Sequence, residues 1–230
     1  MMPRTRIVTW VLAGLATLSL VSCSSETKQQ EAQNKTLPAG VHQGPLREAI
    51  GELKVANEGS RLGYSRDKFN IWADSDGDGC NTRKEVLLAE AVRKPKIAQP
   101  GCRLQGGKWL SWFDNKSITN ASGISIDHLV PLAEAWRSGA SKWSSEKLAK
   151  LGNDTSYAPT LTAVTPEVNA EKGDADPASW LPPNRDAVCA YAGSWVAVKL
   201  HYGLTADPSE VAALKGLKKC QDQGMQWKGA

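Results

Sequence analysis

The stretch Ile124-Ser125-Ile126-Asp127-His128-Leu129-Val130-Pro131 is the most informative in this 230-residue chain. The apolar residues of 123–130 alternate well enough to predict a strand. Neighbours on a regular strand point to opposite faces. Asp127 and His128 can therefore serve one site only where the strand ends or bends, and Pro131 makes such an ending. His128 is one of three histidines. His42 lies in or next to a polar N-terminal stretch, and His201 falls on a Trp- and Val-rich helix, where it reads as structural. Taken alone, the Asp-His pair also fits an edge-strand histidine hydrogen-bonded by a local carboxylate.

The residues downstream change that weighting. Residues 161–165 (LTAVT) read as a short β-branched strand, and Pro166 opens a helical turn that should stop near Gly173. Asn169 and Lys172 lie three apart on that turn and share a face. Further helices are predicted over 45–56, with Pro45 at the first position and apolar residues at 46, 49, 50 and 53, and over 82–92, 131–138, 144–151, 186–204 and 208–220. Another strand is expected over 108–113, after the Gly106-Gly107 turn. No internal repeat is visible. The fold class is α+β, a single domain with few strands and several helices.

Composition bounds the answer. With 41% apolar and 23% charged residues, the chain is not collagen-like, coiled-coil or fully disordered. The formal charge of +4 is too modest to argue for nucleic acid by itself. Nine Trp against two Phe make Trp the main aromatic packing unit. At the N-terminus, Arg4 and Arg6 precede the uncharged run 7–20, which is too short to span a bilayer. Leu20-Val21-Ser22-Cys23 then resembles a bacterial lipobox. Residues 1–22 read as a lipoprotein signal peptide, Cys23 as the lipidated first residue, 23–42 as a flexible tether and 43–230 as the domain. This predicts a membrane partner through the lipid anchor and a place on the extracytoplasmic face of the cell membrane. In that oxidising setting Cys80, Cys102, Cys189 and Cys220 should form two disulfides. Of the three pairings, the sequence-local Cys80–Cys102 and Cys189–Cys220 are favoured. No CxxC spacing supports zinc instead.

A strand ending in Asp-His, a second strand and a helix carrying Asn resemble the ββα-metal core of the HNH endonucleases. The surrounding DHLVPLAEAWRSGAS, LGND and LTAVTPEVNAEKGDADPASWLPP, with DSDGDGCNTRKEVL and GKWLSWFD upstream, resemble a secreted HNH nuclease family related to the C-terminal nuclease domain of GmrSD-type restriction systems. The resemblance covers about residues 60–205. It implies that His128 is the general base, and that Asp127 and Asn169 ligate one divalent metal, Mg²⁺ or Mn²⁺. Asn153, in LGND, best matches the middle Asn of the pattern; it either braces the loop and orients the His ring or is a plain turn residue. The last ligand position of the HNH name is often His and is Asn169 here, and the insertion 131–160 is longer than in minimal motifs. Lys172 could meet a phosphate or be solvated, and Arg83 could grip a backbone phosphate.

Asp74, Asp76, Asp78 and Glu85 fit positions 1, 3, 5 and 12 of an EF-hand loop, with Gly79 at position 6. Against a true EF-hand, position 8 is Asn81 and no long helix precedes Asp74. Thr82 and Glu85 also read as a capping box. Calcium binding, a capped loop without metal and a part in the nuclease site all stay open. The leading function is a metal-dependent endonuclease of low sequence specificity, acting on DNA or RNA outside the cytoplasm. The alternatives are a non-catalytic calcium-binding envelope lipoprotein and a structural protein whose core has lost activity. Nucleic acid is the expected substrate, and no protein partner is predicted.

Overall fold

A computed structural model describes residues 40–228. The expected signal peptide, Cys23 and residues 24–39 of the expected tether lie outside the described residues. The fold is α+β. In chain order its elements are β1 (Val41–Pro45), α1 (Leu46–Glu52), β2 (Lys54–Val55), α2 (Thr82–Glu90), β3 (Lys96–Ala98), β4 (Arg103–Gln105), β5 (Trp109–Ser111), β6 (Lys116–Ile118), β7 (Ser125–His128), α3 (Leu132–Arg137), α4 (Ser145–Asn153), β8 (Leu161–Val164), α5 (Pro166–Lys172), α6 (Val188–Tyr202), β9 (Thr205–Ala206), α7 (Pro208–Gly216) and β10 (Gly224–Lys228). No helix among them is long and apolar enough to cross a membrane.

The strands pair two by two. β1 runs antiparallel to β10, β3 to β4, β5 to β6 and β7 to β8, while β2 lies parallel to β9. The expected strands and helices are found with shifted ends, and the two largest helix shifts have a local cause. The helix predicted over 45–56 stops at Glu52 because Lys54 and Val55 leave to pair with Thr205 and Ala206. The helix predicted over 208–220 breaks after Gly216, and a 3₁₀ turn, Lys218–Cys220, carries its last cysteine. β1 starts at Val41, inside the expected tether, with His42 opposite Trp227 and stacked on its ring.

The pair β7–β8 lies between two cores. In its register Ile126 faces Ala163 and His128 faces Leu161, so these four share one side. That side packs on Val86, Leu87 and Trp109. Val164, on the other side, joins the main core. There α6 is buried almost all round, and Tyr191 and Trp195 have no exposed surface. Phe113 and Trp180 pack edge-on and tilted against Tyr191 and against each other. The free edge of β8 is not left open: the Glu90 carboxylate, from the end of α2, accepts the Ala163 amide and the Thr162 hydroxyl.

α6 also carries one fully buried lysine. Lys199 Nζ reaches Glu134 Oε1 at 2.9 Å and Glu210 Oε2 at 2.6 Å, and donates to Ser138 Oγ and the Thr205 carbonyl. Glu134 and Glu210 are equally inaccessible. Against burial, Lys199 holds the Glu134 carboxyl below its usual range, while burial pushes the Glu210 carboxyl up to about 7, and every member of the cluster is hydrogen-bonded.

Both disulfides are present, in the favoured pairing. Cys80–Cys102 ties the acidic loop to the start of β4, and Cys189–Cys220 ties the first turn of α6 to the turn after α7. Cys189–Cys220 spans 31 residues of sequence. Loop-closure entropy of that size predicts that Cys189→Ser with Cys220→Ser costs about 3–4 kcal/mol, read as a lower urea midpoint than the parent protein.

Candidate active site

β7 ends at His128, and the chain bends through Leu129 and Val130 to Pro131. At this end a cavity of about 320 Å³ opens, and both Asp127 and His128 line it although they belong to opposite faces of the strand. Asn169 of α5 lines the same cavity, as do Arg61, Arg66 and Asp174. The short helix α5 is well specified locally. Thr165 caps it by accepting the Val168 amide, Pro166 opens it, and Gly173 ends it in a backbone conformation with φ +54°.

The His128 ring is held from behind. Its Nε2 lies 3.0 Å from the Gly152 carbonyl oxygen. A carbonyl only accepts, so Nε2 carries the proton and Nδ1 keeps its lone pair. Nδ1 has no hydrogen-bond partner among the described residues. Burial pushes the imidazole down to about 3, and the nearby Arg66 and Lys172 cations push the same way. The ring is therefore a neutral base throughout the physiological range. Trp72 tilts over its face at 5.8 Å, from a backbone position with φ +65°.

Asp127 is held as firmly. Lys172 Nζ donates to Asp127 Oδ2 at 2.6 Å and to the His128 carbonyl at 3.0 Å. Lys172 is 1% exposed and Asp127 6%. Burial raises the carboxyl and lowers the ammonium, so each needs the other to stay charged. Lys172 is thus neither solvated nor aimed at the cavity, the two roles its sequence position offered; it backs the carboxylate. The second oxygen, Oδ1, and the Asn169 side-chain amide have no hydrogen-bond partner among the described residues. One free carboxylate oxygen, one amide oxygen and a neutral imidazole around one cavity suit a hard divalent cation that keeps several waters. Asp127 and Asn169 are the residues that would hold it.

The other expected residues fall into two groups. Asn153 stands beside the site. Its Oδ1 accepts from the Ala73 amide and the Thr82 hydroxyl, and its Nδ2 donates to the Asn70 and Ala149 carbonyls. It closes both ends of the acidic loop and adjoins Gly152, the residue that orients His128. Arg83 lies outside the cavity. Its Nη2 donates to the Ala121 and Ile124 carbonyls, fastening α2 to the entry of β7.

In the acidic loop, Asp74, Asp76 and Asp78 are exposed and bring their oxygens within 4.8 Å of one another. These oxygens accept amides of the same loop, at Gly77, Gly79, Asp78 and Cys80. Glu85 lies near them, and burial beside these carboxylates raises it. The helix cap is Asn81 rather than Thr82: the Asn81 side chain accepts the Lys84 amide, while the Thr82 hydroxyl turns inward to Ala73 and Asn153. No capping box forms. The chain before Asp74 is a single 3₁₀ turn, Arg66–Phe69, not an EF-hand helix.

Sequence reasoning missed Gly152, Arg66, Arg61 and Asp174. Arg61 is tied to Asp174 Oδ2 at 2.8 Å, an oxygen that Arg137 also binds at 2.8 Å. Arg66 is exposed and has no hydrogen-bond or ion-pair partner among the described residues. Its turn is seated by close packing on Gly152, where a Cβ would meet the Phe69 carbonyl oxygen at 2.5 Å. One glycine therefore sets both the histidine, through its carbonyl, and the arginine turn, through its bare Cα. A strand-strand-helix unit thus brings an imidazole, a carboxylate and a side-chain amide to one cavity.

Residues 104–215 match the family model of the GmrSD restriction endonucleases, C-terminal domain. A protein of Arthroderma benhamiae (strain ATCC MYA-4681 / CBS 112371), described as an uncharacterized secreted protein, is 40% identical over 168 residues, covering 73% of this chain and 80% of that protein. No solved structure matches the chain. The chain belongs to one family with that secreted protein, and the stretch 104–215 is similar to the GmrSD restriction endonuclease C-terminal domain.

The packing has two measurable consequences. Lys172→Met leaves Asp127 as a lone buried charge and should cost about 3–5 kcal/mol in urea denaturation. Asp127→Asn should restore part of that loss in the double variant; additive losses would show that the two do not interact. Gly152→Ala should cost about 1–3 kcal/mol by overpacking against Phe69.

Proposed function

We propose that this protein is an exported, metal-dependent endonuclease of the HNH type that hydrolyses phosphodiester bonds of DNA or RNA with little sequence preference. The observation that carries this reading is the neutral His128, its Nε2 fixed by Gly152 and its Nδ1 free, next to the Lys172-backed Asp127 and Asn169 around one cavity. β7, β8 and α5 act as the ββα core. The endonuclease description of the matched family supports the reaction class. Two disulfides and the secreted relative support an exported setting; the reading of Cys23 as a lipid anchor rests on the lipobox-like Leu20-Val21-Ser22-Cys23 alone.

His128 Nδ1 takes a proton from water as the new P–O bond forms. The P–O3′ bond breaks, and the 3′ oxygen takes its proton from solvent. Asp127 and Asn169 would hold a divalent cation, Mg²⁺ or Mn²⁺, which when bound stabilises charge on the phosphate and the leaving oxygen. Lys172 is a positioning residue that keeps Asp127 ionised and aimed. Gly152 fixes the tautomer, and Asn153 braces the loop around it. No helix-turn-helix or other base-reading module accompanies the site among the described residues, which supports low sequence specificity.

The test is plasmid nicking with and without Mg²⁺ or Mn²⁺. Cleavage should need the metal, and His128→Ala should lose about 10²–10⁴-fold in rate with an unchanged circular-dichroism spectrum. Equal activity in His128→Ala would sink the assignment.

A further inference from the structure

Resting on the nuclease reading, we infer that the cavity is a joint site, in which Arg66 takes the substrate phosphate and the divalent cation binds well only when that phosphate is present. The argument is one of charge. Asp127 is the one carboxylate at the expected cation position, and Lys172 Nζ already stands 2.6 Å from it. Asn169 is neutral. Asp174 is engaged by both Arg61 and Arg137. Arg137 is answered in turn by Glu134 and Glu58. On the cavity lining Arg61 and Arg66 stand against Asp127 and Asp174, and Lys172, buried behind the wall on Asp127, adds one further positive charge, so the surplus is positive. A divalent cation entering by itself meets a carboxylate whose field is largely cancelled and an unpaired guanidinium.

A phosphodiester reverses this. Its anionic oxygens give Arg66 the bidentate partner it lacks among the described residues and offer the cation the charge that Lys172 has removed. Arg66 is available for this in a way Arg61 is not. Both are exposed and line the cavity, but Arg61 is held by Asp174, whereas Arg66 has no ion-pair partner among the described residues and its turn is seated on the same Gly152 that orients His128. By linkage, whatever factor the phosphate adds to cation affinity, the cation adds to phosphate affinity.

The experiment measures Mn²⁺ binding to the full chain by electron paramagnetic resonance. It is run alone, with DNA and RNA 12-mers of phosphorothioate linkage, which keep the charge, and with a methylphosphonate 12-mer, which does not. Plasmid and RNA cleavage are assayed in parallel. Mn²⁺ affinity should rise about tenfold or more with a charged oligonucleotide and about twofold or less with the neutral one. The charged oligonucleotide's affinity should rise by the same factor with Mn²⁺. In Arg66→Ala, which alters an exposed side chain, Mn²⁺ should bind the free protein several-fold more tightly. The salt slope of oligonucleotide binding should fall by about one, and Arg66→Lys should restore it. The inference is overturned by equal Mn²⁺ affinity with and without the charged oligonucleotide, by equal enhancement from the neutral one, or by an Arg61→Ala slope change as large as that of Arg66→Ala. Cleavage without coupling would remove this inference and leave the nuclease reading standing. Coupling without cleavage would do the reverse, and absence of both would remove both.

Discussion

The Asp127–Lys172 ion pair orders everything around it. Neither charge could stay out of water without the other, because desolvation opposes both. Lys172 therefore has one place to go, and α5 must land on β7 so that its last residue reaches the strand's carboxylate. Asn169, three residues earlier on the same side of the helix, arrives at the cavity as a consequence. The second Lys172 bond, to the His128 carbonyl, holds the strand end where the histidine leaves it.

A second anchor lies at the end of α4, where three consecutive residues do different work. Gly152 aims the histidine and admits the Phe69 backbone. Asn153 closes the loop 73–82. Asp154 accepts the Ser156 and Tyr157 amides and the Tyr202 hydroxyl, tying the helix end to α6. The base and the Arg66 turn are thus referenced to one short segment of backbone, which is what a site held to a fraction of an ångström needs.

The third constraint is the chain of charges that runs from the cavity rim into the core. Asp174 binds Arg137, Arg137 binds Glu134, Glu134 binds Lys199 and Lys199 binds Glu210. Removing Lys199 would leave Glu210 with no opposite charge in a medium of low dielectric, whereas each other member shares its neighbours with a second partner. The rim carboxylate at 174 is therefore joined to the packing of α3, α6 and α7, and its hold on Arg61 is part of the core's own charge balance.

The sequence by itself determined the α+β class, the strand ending at Asp127-His128, the strand and helix after it, and the pairing of the four cysteines. These rest on local signals: alternation, β-branching, Pro at a helix start, Gly at its end, and even cysteine number with short separations. The tertiary structure alone decided what Lys172, Arg83, Thr82 and Arg66 do. Lys172 turned inward, Arg83 became a tie between two elements, and Thr82 gave up the helix cap for a partner 71 residues away. The short pairs β1–β10, β2–β9 and β3–β4 were equally illegible, since strands of two to five residues carry little periodicity and owe their pairing to distant segments. A long polar side chain has many partners open to it along a sequence. Which one it takes is settled by the neighbour that folding brings within hydrogen-bond reach, about 3 Å, and by the cost of burying its charge without one.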